Sequence, residues 1–149
     1  MFDGADLSIV EGSQKVPDLM AQKPIELILM RQLASSLAMP IFLVDADGTL
    51  AFYNEPAERL LGMRFEETGE MPAAEWSTLW DPTDLDGRPL APERVPLMIA
   101  VAERKPVHVE LWIRGLDGTR RRIEATAFPL MRLTNQVLGA VVLFWETAS

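Results

Sequence analysis

The stretch from Val107 to Phe128 constrains this chain most, because it fixes a strand register. In Val107-His108-Val109-Glu110-Leu111-Trp112-Ile113-Arg114 the odd positions are aliphatic and the even ones polar or aromatic. Alternation of this kind marks a strand with one buried face. A turn at Leu116-Asp117-Gly118 leads into Thr119 to Phe128, where Ile123, Ala125 and Ala127 share one side. Asp-Gly between alternating runs is a hairpin signal, since Gly accepts the positive φ that the turn requires. A short loop with Gly118 left-handed pairs Gly115 with Thr119, which sets Leu111 opposite Ile123 and Val109 opposite Ala125. A slip by one residue would set aliphatic side chains against polar ones. The same register puts Trp112 beside Arg122, where the guanidinium can lie on the indole. It also sets Glu110 opposite Glu124, a mild conflict.

After a loop at Met131–Gln136, the run from Val137 to Glu146 is apolar on both sides, as expected of a strand covered on both faces. The inner face of the hairpin is small and aliphatic. Its outer face keeps Trp112, Phe128 and, by parity, either Phe144 or Trp145. Something apolar should cover that face. The free apolar stripe lies near the N-terminus, where Ile25, Leu29, Leu33 and Leu37 recur every four residues, broadened by Ile28, Met30 and Ala34. This pattern predicts an amphipathic helix of about 14 residues, stopped by Pro40. We expect that helix on the outer face of the sheet, from the same chain or from a partner.

Pro40 to Gly62 reads as a second hairpin followed by a helix. The apolar run Ile41 to Val44 turns at Asp45-Ala46-Asp47-Gly48 into Thr49 to Tyr53. Asn54 suits an N-cap, Pro56 the first helical turn and Gly62 the residue after the last. Residues 63–92 are dense in breakers, with a short helical inset that carries Trp76 and Trp80 on one side. A longer helix is expected over about Glu93 to Lys105, between Pro92 and Pro106. Residues 1–22 show no sustained period and read as a mobile tail. The expected organisation is that tail, an N-terminal helix over 23–39 and a core over 40–147.

The order helix, two strands, short helices, longer helix and three strands resembles the PAS domain. Three stretches carry the resemblance: Asp45-x-x-Gly48 with Asn54 in the opening hairpin, the segment Asp84 to Val107, and the final hairpin with Pro129-Leu130 ahead of a strand led by Gly139. The residues alone give an α+β domain with a mostly antiparallel sheet. The resemblance implies the PAS fold over about residues 35–147: a five-stranded antiparallel sheet in the order 2-1-5-4-3, with short helices on one face. It also implies a sensory or regulatory module of bacterial signal transduction, relaying signals through flanking helices or the last strand. The family's Asp-Ile-Thr ending is blurred here to Trp145-Glu146-Thr147. We therefore expect either a stand-alone module acting through protein contact or a piece of a longer protein.

Composition limits the chemistry. The chain of 149 residues has a net charge of −8 and no cysteine. The acidity argues against phosphate-backbone binding, and no segment approaches the length of a membrane span. A soluble cytoplasmic protein without nucleic-acid or membrane partners is expected. Without cysteine there is no photoadduct on a flavin, though a flavin held without adduct chemistry stays open. The sole histidine, His108, falls past the longer helix and on the outer face, a poor place for a haem ligand. Asp84, Asp86 and Glu93 around Gly87 resemble a calcium loop, but Pro82 occupies the first ligand position. A plain turn is expected there, and a solvated strand end at Arg120-Arg121-Arg122. Nothing is spaced for acid–base or nucleophilic catalysis, so no enzyme is expected.

What remains is a cavity between sheet and short helices. The lining candidates are Phe42, Val44, Leu60, Leu61, Trp76, Leu79, Trp80, Met98, Leu111, Ile113, Ile123 and Ala125. Two readings stay open: a filled core serving a scaffold, or an apolar pocket for a small ligand. No cofactor is assigned. Homodimer or helix packing is expected through Ile25, Leu29, Leu33, Leu37, Trp112 and Phe128, with a signalling protein as a further partner.

Overall fold

A computed structural model describes residues 24–133 and 135–147, and the tail expected over 1–22 lies outside them. The elements are α1 (Ile25–Ala34), β1 (Ile41–Asp45), β2 (Leu50–Tyr53), α2 (Glu55–Leu61), α3 (Phe65–Thr68), α4 (Ala73–Leu79), a 3-10 turn (Pro92–Arg94), α5 (Pro96–Glu103), β3 (Val107–Arg114), β4 (Arg120–Arg132) and β5 (Gln136–Glu146). The strands form one sheet in the order β2-β1-β5-β4-β3, every neighbouring pair antiparallel. This is the expected fold.

The final hairpin has the register read from its alternation: Leu111 opposes Ile123, and Val109 opposes Ala125. Glu110 does oppose Glu124, and each carboxylate is relieved by a neighbour. Arg122 Nη2 lies 3.3 Å from Glu110, and His108 Nε2 lies 3.0 Å from Glu124. That pairing corrects one expectation. Arg122 is drawn to Glu110, so the guanidinium over the Trp112 ring is that of Arg120, 5.0 Å from the centroid. Of the two aromatic candidates on β5, Phe144 joins the inner core, while Trp145 faces outward within 6.1 Å of the His108 ring.

Local chemistry explains the helix boundaries. Asn54 Oδ1 accepts from Ala57 N–H at the start of α2, and Gly62, with φ at +80°, closes it. Gly62 has a second reason to be glycine: a Cβ there would sit 2.8 Å from the backbone nitrogens of Leu116 and Asp117 in the β3–β4 turn. The longer helix starts later than expected. Pro96 pushes Val95 out of the helical region, to φ −73° and ψ 147°, so α5 begins only after the 3-10 turn.

The sheet buries a different core on each side. The inner core gathers Phe42, Tyr53, Trp76, Trp80 and Phe144 with aliphatics from β3, β4 and α5. The outer core is smaller: Leu27 and Ala34 of α1 meet Ile41, Leu43, Ala51 and Val141, with Met30, Phe52, Phe128, Leu130 and Leu143 at its margin. So α1 does lie on the outer face, and it covers Phe128. Three expectations about it need correction. It spans 10 residues rather than about 14, and the carbonyl of its last residue, Ala34, accepts both Asn54 Nδ2 at 2.9 Å and the Leu37 N–H at 3.2 Å. It docks through Leu27, Met30 and Ala34, which leaves Ile25 58%, Leu29 55%, Leu33 52% and Leu37 38% exposed. It does not reach Trp112, which stands on β3 at the other edge of the sheet under Arg120.

Polar contacts fasten α1 at both ends. The Glu26 carboxylate accepts a fork from Arg132, at 3.1 Å from Nε and 2.7 Å from Nη2. Further along, the Arg31 guanidinium lies 4.6 Å from the Phe52 ring centroid and 5.6 Å from that of Phe65.

Candidate functional site

Two parallel rings start the site. Phe42 on β1 and Tyr53 on β2 are cross-strand partners whose rings stack at 5.7 Å with 4° between their planes. Against Phe42 lie Trp76 at 5.2 Å and Trp80 at 5.9 Å, tilted by 59° and 88°. Such offset and edge-on arrangements suit the ring quadrupoles. Both indole N–H groups are engaged by the fold itself. Trp76 Nε1 donates to the Gly48 carbonyl at 2.8 Å, and Trp80 Nε1 donates to the Leu61 carbonyl at 2.9 Å. Burial pushes the Tyr53 phenol above its ordinary pKa, and its hydroxyl donates to the Met63 carbonyl at 2.8 Å.

Around these rings the fold leaves a cavity of about 90 Å3 whose accessible surface is apolar. The sheet supplies Phe42, Leu111, Ile113, Ile123, Ala125, Val142 and Phe144. The helical side supplies Leu61, Trp76, Ser77 and Trp80, then Pro82, Val95, Pro96 and Leu97. Eight sequence candidates are therefore in the wall: Phe42, Leu61, Trp76, Trp80, Leu111, Ile113, Ile123 and Ala125. The other four are not. Val44 is fully buried in the inner core, and Leu60, Leu79 and Met98 pack at its margin. Their side chains fill space instead of bordering it.

The wall residues that sequence reasoning missed fall in two groups, with Ser77 apart from both. Pro82 and Val95 come from irregular backbone, and Pro96 and Leu97 from the first turn of α5, where no period identifies the inward side. Val142 and Phe144 come from a strand apolar on both faces, where parity alone does not choose. Ser77 had no signal at all, being a polar residue between two tryptophans.

Other candidates are accounted for by local partners. The Asp84 carboxylate accepts the backbone N–H groups of Asp86 and Arg88, each at 2.9 Å, which makes its loop an ordinary turn. Among the described residues no cluster of His, Asp and Glu could hold a metal ion. Arg121 reaches the Leu60 carbonyl at 3.1 Å, while Arg120 and Arg122 lie on Trp112 and Glu110. A surface depression of about 410 Å3 near Glu55, Arg59 and Arg64 carries mixed charge. Its Glu58 and Glu67 accept the Phe65 and Arg64 backbone N–H groups. Neither a haem nor a flavin fits the cavity, whose volume is far below that of either ring system, and His108 stands on the opposite face of the sheet. No helix among the described residues is long and apolar enough to cross a membrane.

The fold has solved counterparts. The PAS domain of BvgS from Bordetella pertussis is similar at 13% identity and a TM-score of 0.55, covering 83% of this chain and 87% of that one. A PAS domain from Colwellia psychrerythraea matches at 19% identity and 0.59, over 80% and 97% of the two chains. A LOV protein of Rhodobacter sphaeroides reaches 0.65 at 14% identity, over 84% and 69%. At these identities the likeness concerns the fold alone. No curated protein matches the sequence. A family model described as the PAS fold matches residues 34–149, from the end of α1 through the whole sheet. With sheet order, helix placement and family match in agreement, the chain belongs to the PAS family.

Proposed function

We propose that this PAS domain is a cytoplasmic sensory or regulatory module of bacterial signal transduction. It acts as a homodimer through α1, relays its state to a signalling partner by contact, and holds a small apolar ligand. No catalytic step and no nucleic acid enter this reading. One observation carries it: α1 is docked by one side only, and its free side presents Ile25, Leu29 and Leu33 to solvent, with Leu37 exposed just past its end. An aliphatic stripe of that kind on a helix fastened to the domain is what a second copy would cover. The test is the double variant Leu29→Glu with Leu33→Glu, measured by size-exclusion chromatography with light scattering. The wild type is expected to run as a dimer and the variant as a monomer. An undiminished dimer in the variant, or a monomeric wild type at high concentration, would remove the helix as the interface.

A second reading is favoured by the modest size of the cavity: a ligand-free interaction or scaffold domain whose core is nearly filled. Native mass spectrometry compared with the denatured mass separates the two. Extra mass retained under native conditions supports the ligand, and its absence across independent preparations supports the scaffold.

A further inference from the structure

We propose that Leu133, at the tip of the β4–β5 hairpin, anchors a second copy of this chain. α1 pairs antiparallel with its copy about a two-fold axis near Leu29, which sets Leu133 of each protomer against the partner's Leu37. This rests on the homodimer reading above and names how the two copies meet.

Leu133 has two features that are unfavourable in a single copy. Its φ is +57°, a left-handed backbone that is a genuine outlier for a bulky side chain. Its side chain is 90% exposed, against 58% for Ile25, the next among the exposed large hydrophobics of the described residues. A turn that only had to reverse the chain would carry glycine or asparagine at that position. Strained residues of this kind gather where a ligand or partner is held.

The tip is placed to meet a partner of α1. Arg132, the residue before Leu133, forks Glu26 in the first turn of the helix, so the tip stands at the starting end of α1. At the other end Leu37 and Met39 are exposed just past Ala34. Among the described residues, the other exposed large hydrophobics lie on α1 itself, apart from Leu85 and Leu116. Apolar surface therefore runs from the tip, along the helix and beyond its end.

Charge selects a second copy as the occupant. The chain has a net charge of −8, so two copies repel unless they meet where charge is absent. The charged residues of α1, Glu26 and Arg31, are turned to Arg132 and to the Phe52 and Phe65 rings, which leaves the free side uncharged. Size requires both ends. A stable interface takes roughly 20–30 residues a side, more than one face of a 10-residue helix supplies. Antiparallel pairing extends the contact at both ends by laying each tip on the far end of the other helix. It also opposes the helix dipoles, whereas parallel pairing would set like dipole ends together and tip against tip.

Leu133→Asn tests the anchor, because asparagine accepts the left-handed backbone and is polar. The dimer dissociation constant, read by analytical ultracentrifugation, is expected to rise about tenfold or more. The urea midpoint, measured at a concentration where the chain is monomeric, is expected to hold or rise. Leu85→Asn, on another exposed leucine, should leave both unchanged. A change in the constant of less than about twofold, or a fallen monomer midpoint, would overturn the anchor. The arrangement is read separately. The chain has no cysteine, so Leu133→Cys and Leu37→Cys can be mixed and mildly oxidised. Disulfide formation needs the two Cα atoms within about 7 Å. Covalent dimers holding one copy of each variant are expected in excess. An excess of self-linked Leu133→Cys would overturn the antiparallel arrangement while the homodimer reading stands. A wild type that stays monomeric at high concentration would remove both.

Discussion

The two faces of this sheet are built on different terms. On the inner face, four rings from β1, β2 and the α4 segment interlock, and each tryptophan is held in rotation by a hydrogen bond to a backbone carbonyl. On the outer face a helix of 10 residues buries Leu27 and Ala34 against the strands and is held by contacts near its ends. The first arrangement has one geometry, because interlocked rings cannot slide without opening a void. The second is a docked element, whose removal would expose apolar surface and leave the interior intact. A domain made this way keeps a rigid interior beside a flank that can change partners.

If the contrast is real, the largest loss should come from inside. Trp80→Ala removes an indole 5% exposed, together with its bond to Leu61. We expect a destabilisation of about 3–5 kcal/mol, read from the urea midpoint with an unchanged m-value. Amide exchange should show the loss of protection concentrated in α2 and α4. Equal loss throughout β3 and β4 would mean that the short helices and the sheet are not separable, and would contradict the placement of Trp80.

Next comes the joint between the two faces. Asn54 is 2% exposed and uses its whole amide. Its Oδ1 accepts from Ile41 N–H at 3.0 Å and Ala57 N–H at 3.2 Å; its Nδ2 donates to the carbonyls of Ala34 and Met39, each at 2.9 Å. One side chain therefore caps α2, starts β1 and ends α1. Asn54→Ala should cost about 3 kcal/mol, more than an N-cap alone, because buried partners are left unsatisfied. Asn54→Asp keeps the acceptor and loses both donations, so it should spare α2 and loosen α1. A cost of about 1 kcal/mol for Asn54→Ala, the value of a simple cap, would mean that the link to α1 carries no weight.

The sequence made some of this legible and hid the rest for physical reasons. Strand period is two, so the alternation of Val107–Arg114 with Arg120–Ala127 left one register, and that register is present. Asn54 was legible as a cap, since the acceptor role is local. Its donation to Ala34 spans twenty residues of sequence, and no local pattern announces it. In α1 the four-residue spacing pointed to Ile25, Leu29 and Leu33, with Met30 and Ala34 broadening the stripe, whereas the sheet takes Met30 and Ala34 together with Leu27, which the spacing did not single out. A helix apolar on most of its circumference does not declare which side docks. The small Ala34 and the reach of Asn54 decided it.

Leu27→Ala sharpens the comparison from outside. Leu27 is 3% exposed, but α1 can settle closer to the strands once the side chain is cut. The cost should therefore fall near the lower end for such truncations, about 2 kcal/mol. Faster exchange should be confined to α1. A loss as large and as widespread as that of Trp80→Ala would show the two cores to be one cooperative unit.

The smallest expected effect is the most local. Arg132, chiefly through its side-chain hydrogen bonds, holds the Glu26 carboxyl below its ordinary pKa of 4.5. A carboxylate whose pKa is lowered on folding stabilises the fold fully above its unfolded pKa and loses that contribution as pH falls through the folded value. Both groups are at the surface, so global stability should hardly register the change. The hold on the first turn of α1 should register it. Amide protection in α1, corrected for intrinsic exchange rates, is expected to drop as pH falls from about 6 to 3. It should be lower and nearly flat with pH in Glu26→Gln, while β3 and β4 behave alike in both proteins. A wild-type pH profile retained in Glu26→Gln would show that some other contact fastens the start of the helix. The outer face would then be tied to the sheet more broadly than its few end contacts imply.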